Sequence, residues 1–217
     1  MTEDLMAGGH KRKAPEVRRR EIMDAVIAIG VERGLDAVSV RDVAEHCGVA
    51  PGLIHHYFPS VDELIAESFG TWADSSLKVL RDLSQEESPR TALALTVANL
   101  SPDQRIWNDA LNTASRHQPL RDRAQALSQD YLAHVEGLIR AGIDQGQFTS
   151  DDPLLSAWRI ILLLDGMVAM MHILGLIHRD QLATIVGPVV ERELGLAPDS
   201  FTELVQAVLS AGTVLDW

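Results

Sequence analysis

The chain has 217 residues, of which 46% are hydrophobic and 5% aromatic, and its formal net charge is −12. This length is enough to bury a sizeable core in one large domain or in a small and a large one. Plentiful Ala, Leu and Ile with few Gly/Pro clusters favour helices over strands and turns, so we predict an all-α fold.

The N-terminal end of the chain is polar and basic. Residues 1–14 show neither helical periodicity nor the apolar segment of a signal peptide, so we expect a disordered basic arm on a cytoplasmic protein. Residues 1–60 have a charge balance of −1 and residues 61–217 one of −11, so the acidic excess lies outside the first sixty residues. Six basic residues before and at the beginning of the first periodic segment fit a phosphate-contacting arm or a solvated tail: Lys11, Arg12, Lys13, Arg18, Arg19 and Arg20.

Ten helical segments follow in chain order. Gly34 is a stop signal for the first helix, Ser39 and Asp42 form a capping pair for the second, and Pro51 suits the first position of the third. The predicted helices are 17–33, 40–47, 51–57, 61–84, 89–100, 103–116, 119–145, 153–178, 180–194 and 199–212.

The second and third helices meet across a tight turn at Gly48, which is able to adopt the positive φ that such a turn requires. Val43, Cys47, Val49 and Ile54 then face a shared core, and Pro51, Gly52, Leu53, His55 and His56 point outward. No acidic residue lies between Cys47 and Val61, and an outward face without carboxylates fits a helix that enters the DNA major groove. The alternative is a generic helical hairpin.

Residues 20–64 resemble the DNA-binding domain of the tetracycline-repressor (TetR) family. The matching segments are Ser39-Val40-Arg41-Asp42-Val43-Ala44, Gly48-Val49, Tyr57-Phe58 and Asp62-Glu63-Leu64. The resemblance implies a helix-turn-helix domain over residues 15–60 and a regulatory, ligand-binding and dimerisation domain over residues 61–217. It also implies that DNA is contacted by Arg18, Arg19, Arg20, Ser39, Arg41, Pro51, Gly52, Leu53, His55, His56 and Tyr57, with base reading by residues 51–56.

Two positions depart from the family pattern. Ala50 stands where Ser or Thr is common before the recognition helix, and it has no side-chain oxygen to cap that helix. Val61 stands where the family usually has Lys, which removes one expected phosphate contact. We hypothesise that the basic arm compensates for this loss.

Residues 104–166 resemble the C-terminal domain of the betaine-regulator (BetI-like) subgroup, on the segments Arg105-Ile106-Trp107, Gly146-Gln147-Phe148 and Leu162-Leu163-Leu164-Asp165-Gly166-Met167. This resemblance implies a homodimer that pairs helices near 153–177 and 180–194 in a four-helix interface and binds a palindromic DNA operator. Independently, residues 154–177 are apolar nearly all round, and a monomer of this size is able to bury them only in part. The longest apolar run, residues 160–177, contains Asp165 and is short for a membrane span, so we expect no membrane association.

The family architecture implies a pocket for a small-molecule inducer between the fourth and eighth helices. Asp165 is the strongest candidate for a contact with the inducer, because a buried acid needs a partner. That partner is either a cationic ligand, such as an alkylammonium group held with Trp107 and Trp158, or a pairing within the protein, across subunits or with Arg159 or His172. The candidate ligand residues are Trp72, Asn99, Trp107, Asn108, Leu111, Asn112, Tyr131, His134, Trp158, Asp165 and Met170.

The sequence therefore predicts a ligand-responsive DNA-binding repressor, with an activator or architectural DNA-binding protein without inducer as the alternative. A helical enzyme that uses Asp165 and His172 as an acid–base pair is a third hypothesis, but no catalytic motif completes such a site. We interpret Cys47 as a packing residue, and His55 and His56 project in different directions on a helix, so we expect neither a metal nor a cofactor.

Overall fold

The computed structural model describes residues 14–99 and 105–211, and every regular element within these ranges is helical. The prediction of an all-α fold is therefore confirmed. The α-helices are α1 Pro15–Arg33, α2 Val40–Cys47, α3 Pro51–Tyr57, α4 Val61–Gln85, α5 Pro89–Ala98, α6 Arg105–Ala114, α7 Gln118–Asp144, α8 Pro153–Val168, α9 Leu182–Glu193 and α10 Ser200–Ser210. The basic arm up to Lys13 lies outside the described residues.

Local signals in the sequence account for the ends of the early helices. The Ser39 hydroxyl accepts a hydrogen bond from the Asp42 N–H at 3.2 Å, and Ser60 caps α4 through the Glu63 N–H at 3.1 Å. Gly48 closes α2 in the left-handed region at φ 63°. Ala50 provides no side-chain cap for α3, whose first residue is Pro51, as the sequence predicts.

The buried side chains form two hydrophobic clusters. The first joins α1, α2 and α3 to α4, α6 and the N-terminal half of α7, with Ile22, Ile54, Leu64, Ile106 and Leu120 among its members. The second joins α5, α8, α9 and α10 to the C-terminal half of α7. Because the first cluster continues from α3 into α4, the helix-turn-helix is packed directly onto the helices that follow it.

The eighth helix ends earlier than its apolar pattern suggests. A prediction of helix up to residue 178 is wrong, because α8 ends at Val168 and passes into a single π-helical turn, Ala169–Ile173. There the Ala169 carbonyl accepts from the Leu174 N–H at 3.2 Å, and Gly175 then leaves the helical direction at φ 63°. A 3-10 turn, Arg179–Gln181, precedes α9.

One described segment, Pro153–Ile173, is long and apolar enough to cross a membrane, with a mean hydropathy of 1.7. The core helix of a soluble protein passes the same test, so the segment is weak support for a membrane span.

Candidate DNA-binding face and ligand cavity

The turn between α2 and α3 separates inward-facing from outward-facing side chains. Val43 and Ile54 are buried, and Cys47 and Val49 are half-buried against the same cluster. On the other side of α3, Pro51, Gly52, His55 and His56 are exposed, and Leu53 is half-buried. The short helix thus presents a surface without carboxylates, as its sequence predicts.

Further predicted DNA contacts flank this surface. Ser39 and Arg41 are exposed at the beginning of α2. Tyr57 is half-buried at the end of α3, and its ring meets the His56 ring edge-on at a centroid distance of 5.5 Å. These positions leave polar groups available at both ends of the helix pair.

The three consecutive arginines near the beginning of α1 differ in their surroundings. Arg19 donates to both carboxylate oxygens of Glu67 at 2.6 Å, and its guanidinium lies 4.5 Å from the centre of the Phe58 ring. Arg18 pairs with Glu21 at 2.9 Å, whereas Arg20 is exposed. Arg19 therefore ties α1 to α4, and Arg20 is the most accessible of the three for a phosphate.

Polar contacts that the sequence did not reveal join the corner between α6 and α7 to the N-terminal helices. The His117 ring bonds Asp62 at 2.8 Å and Asp36 at 3.3 Å, and Arg116 pairs with Asp36 at 2.7 Å. Hydrogen bonds from His117 to Asp62 and Asp36 raise the pKa of the imidazole, because they favour its protonated form. Arg105 of α6 also donates to the Val31 carbonyl at 3.0 Å.

A cavity of about 250 Å³ lies between α4, α5, α6, α7 and α8. Seven of the predicted ligand residues line it: Trp72, Asn99, Trp107, Leu111, Tyr131, Trp158 and Asp165. Sequence reasoning missed Ala73, Ser76, Leu77, Leu80, Thr96, Leu127, Ser128, Leu132, Ile161, Leu164 and Val168. Most of these are apolar residues in helical repeats, which a sequence does not distinguish from ordinary core.

Four predicted ligand residues lie outside the cavity lining. Asn112 is exposed, and Asn108 is half-buried elsewhere on α6. Met170 falls in the π-helical turn. His134 is half-buried, and burial together with the charge of Arg81 lowers its pKa to about 4, so its ring is neutral at ordinary pH.

Asp165 has no hydrogen bond or ion pair from its side chain to any residue that the structure describes, and burial raises its pKa to about 6. Of the two partners proposed within the helix, Arg159 instead pairs with Glu193 at 2.7 Å. His172 lies within the π-helical turn, and its buried Nε2 lacks a hydrogen-bond partner among the described residues. The acid–base pair required by the enzyme hypothesis is therefore not formed.

Asp165→Asn is expected to raise the free energy of unfolding by about 1–2 kcal/mol near pH 7.5 and by much less near pH 4. The folded-state pKa of about 6 exceeds the ordinary value of 3.8, so the favourable contribution of this carboxyl is lost as the pH rises through 6. The full shift corresponds to roughly 3 kcal/mol, which solvent contact of the part-exposed group reduces. Urea unfolding at both pH values measures the difference, and Asp130→Asn on the exposed side of α7 is the control. A uniform effect at both pH values would contradict the prediction.

A helix-turn-helix with an exposed, acid-free second helix, packed onto a helical body that encloses a cavity, defines a DNA-binding transcription regulator. Two family models match the chain: "Bacterial regulatory proteins, tetR family" over residues 22–67 and "Tetracyclin repressor-like, C-terminal domain" over residues 106–184. The chain belongs to the TetR family, whose members are transcription regulators and not enzymes.

Individual relatives agree with this assignment. The chain is 26% identical over 155 residues to the transcriptional repressor KstR2 of Rhodococcus jostii, covering 66% of this chain and 74% of that protein. It is 36% identical over 97 residues to the regulator BetI of Brucella anthropi, covering 41% and 46% of the two chains. A regulator from Saccharomonospora viridis, solved in complex with choline, has the same fold, with a TM-score of 0.75, 21% identity and coverage of 83% and 98%.

Proposed function

We propose that the protein is a ligand-responsive transcriptional repressor that binds a palindromic operator as a homodimer and is released by a small-molecule inducer. In this proposal residues 1–14 are a basic arm, 15–60 bind DNA, and 61–217 bind the inducer and form the dimer. The observation that carries it is the cavity, because its walls include α4 and α6. α4 begins directly after the recognition helix α3, and α6 is hydrogen-bonded to α1 and to the segment that joins α1 to α2.

A ligand in the cavity is thus in contact with α4 and α6, the helices that hold the DNA-binding helix pair α2 and α3. We call this pair, residues 40–57, the reading head. Two such heads in a dimer must lie about 34–36 Å apart to enter successive major grooves of an operator. A ligand that binds better to a conformation with a different head spacing lowers operator affinity, and one that binds both conformations equally has no effect.

The names of relatives support the finer parts of the proposal. KstR2 is a repressor, and the Saccharomonospora viridis protein binds choline. The BetI match covers less than half of either chain, and a BetI-like regulatory domain is part of the proposal. Because the proposed operator is chromosomal DNA, we propose that the protein acts in the cytoplasm.

The test is selection of bound fragments from genomic DNA by the full-length protein, followed by a screen of metabolites for release of the selected operator. We expect a two-fold symmetric sequence to be enriched and at least one compound to lower its affinity. Failure to enrich any duplex would overturn the proposal of sequence-specific DNA binding. Failure of every compound to release the selected operator would overturn the proposal of induction by a small molecule.

The dimer surface is proposed from an uncovered apolar face of α8. Leu154, Leu155, Trp158 and Leu162 are 41%, 43%, 43% and 62% exposed, and they recur at helical spacing. Such a continuous exposed stripe is typical of an interface. α9 packs beside α8, which matches the pair of helices expected to meet a second subunit.

Leu162→Glu is expected to convert the dimer into a monomer and to weaken operator binding by about 100-fold, because each half-site alone supplies part of the affinity. Sedimentation equilibrium and fluorescence anisotropy with the selected operator measure the two effects. Ala133→Glu on an exposed position of α7 adds the same charge and is expected to leave both unchanged. A Leu162→Glu protein that remains dimeric would place the interface elsewhere.

A further inference from the structure

We propose that the cavity ligand is a compact hydrophobic amine that pairs its ammonium group with Asp165, places a hydrogen-bond donor against Asn99 and packs its apolar body against the tryptophan rings. This inference rests on the proposed function, in which the cavity is the inducer site. It names the chemical class of the inducer and distinguishes an N–H ammonium group from a quaternary one.

The charge of the cavity wall argues against an anionic ligand. Among the described lining residues Asp165 is the charged one, and none is Lys, Arg or His. Residues 100–104, which follow Asn99 outside the described ranges, are Leu-Ser-Pro-Asp-Gln and add no cation. A carboxylate or phosphate in this cavity would find no opposite charge and would face the Asp165 carboxyl.

The oxygen acceptors of the wall favour a ligand that donates hydrogen bonds. The hydroxyls of Ser76, Thr96 and Ser128 each donate to a carbonyl of their own helix, at 3.1, 2.9 and 2.8 Å, so their oxygens have lone pairs left to accept. The Asn99 side chain is buried at 7% exposure, and its Oδ1 has no hydrogen-bond partner among the described residues. The Asp165 carboxyl is likewise unpaired there. Buried acceptors without donors are costly, and an N–H-bearing ligand satisfies both.

The rest of the wall is suited to a flat apolar body. Trp72 and Trp107 are held by Phe69, whose ring centre lies 6.0 and 5.4 Å from theirs. Burial and the nearby Asp165 raise the pKa of Tyr131, so its phenol stays neutral and adds no charge. At about 250 Å³ the cavity is smaller than most drug-sized pockets, which favours one aromatic ring with a short alkyl amine over a long chain or a nucleotide conjugate.

Calorimetric titration of the full-length protein with four probes of one shape tests the inference: 2-phenylethylamine, 2-phenylethanol, 3-phenylpropionate and trimethyl(2-phenylethyl)ammonium. We expect the primary amine to bind at least about tenfold more tightly than the other three. The alcohol lacks charge, the acid has the wrong charge, and the quaternary ion has no N–H for Asp165 and Asn99.

Variants identify the residues responsible. Asp165→Asn keeps the side-chain shape and is expected to weaken amine binding by about tenfold or more, and Asn99→Leu by about three- to tenfold. The matched control Asp130→Asn removes an exposed acid outside the cavity lining and is expected to leave amine binding unchanged. Circular dichroism and thermal unfolding establish that each variant is folded.

The inference would be overturned by absence of amine binding at millimolar concentration, by equal or tighter binding of the acid or the quaternary ion, or by Asp165→Asn protein that binds the amine normally. Measuring whether the bound compound also releases the operator distinguishes a failure of this inference from a failure of the proposed function. An amine that binds through Asp165 without releasing DNA supports the ligand class and contradicts induction at this site. Release by an anionic compound that occupies the cavity supports induction and contradicts the ligand class.

Discussion

Glu191→Ala is expected to lower the free energy of unfolding by about 3 kcal/mol, because the Glu191 carboxylate caps the beginning of α10 from the end of α9. Glu191 is buried at 5% exposure. Its Oε1 accepts from the N–H groups of Phe201 and Thr202 at 2.9 and 2.8 Å, and its Oε2 from the Asp199 N–H at 3.0 Å. α10 has no side-chain cap of its own, so the substitution leaves these donors unpaired beside the second hydrophobic cluster.

The pH dependence of the free energy of unfolding distinguishes the contribution of the Glu191 charge from that of its side-chain volume. Burial works to raise the pKa of Glu191, but the hydrogen bonds to Thr202, Phe201 and Asp199 together lower it below its ordinary value of 4.5. A lowered folded-state pKa contributes stability above the ordinary value and loses it as the pH falls through the folded-state value. The difference between wild type and Glu191→Gln is therefore expected to shrink below pH 4.5.

Urea unfolding at constant protein concentration measures both effects, since the stability of the proposed dimer would depend on concentration. Glu203→Ala, an exposed acid in the first turn of α10, is the matched control and is expected to change stability by less than about 0.5 kcal/mol. Equal decreases in the free energy of unfolding for Glu191→Ala and Glu203→Ala would show that the contacts that cap α10 contribute little.

His55→Glu is expected to reduce operator affinity by about 100-fold or more without changing stability. The side chain is exposed on α3, on the face proposed to enter the major groove. A carboxylate placed there faces the phosphates and base-edge acceptors of the groove, where no acid occurs in the native chain between Cys47 and Val61.

Fluorescence anisotropy at one salt concentration, with the operator obtained by selection, measures the loss. Gln125→Glu adds the same charge on an exposed position of α7 and is expected to change affinity less than about twofold. If both variants bound DNA as tightly as wild type, α3 would not be the reading helix.

Local patterns were sufficient to predict the helix pair α2 and α3. Ser39, Gly48 and Pro51 each act on the backbone within a few residues of themselves, so their positions define the ends of α2 and α3. The cap that Glu191 provides to α10 and the bonds of His117 to Asp36 and Asp62 join residues that only the fold brings together. No periodicity in the sequence signals such contacts.

The cavity was predictable in its aromatic residues, Asn99 and Asp165, but not in its hydroxyl-bearing residues or its extent. Trp72, Trp107, Tyr131 and Asp165 stand out as unusual residues in apolar helices, whereas Leu77 and Leu164 have the same pattern whether they line a space or fill a core. The end of α8 was also missed, because apolar residues continue beyond the π-helical turn and Gly175 is the sole local break.

Among the helices that the structure describes, α7 is the one shared by both hydrophobic clusters. It gives Leu120 and Leu127 to the first and Val135 and Ile139 to the second. Ser128, Tyr131 and Leu132, which face the cavity, fall in the stretch between these two sets. The cavity therefore lies where the two hydrophobic clusters meet. Under the proposed function, the size of a molecule bound there is expected to set the angle between the cluster that includes α2 and α3 and the other cluster.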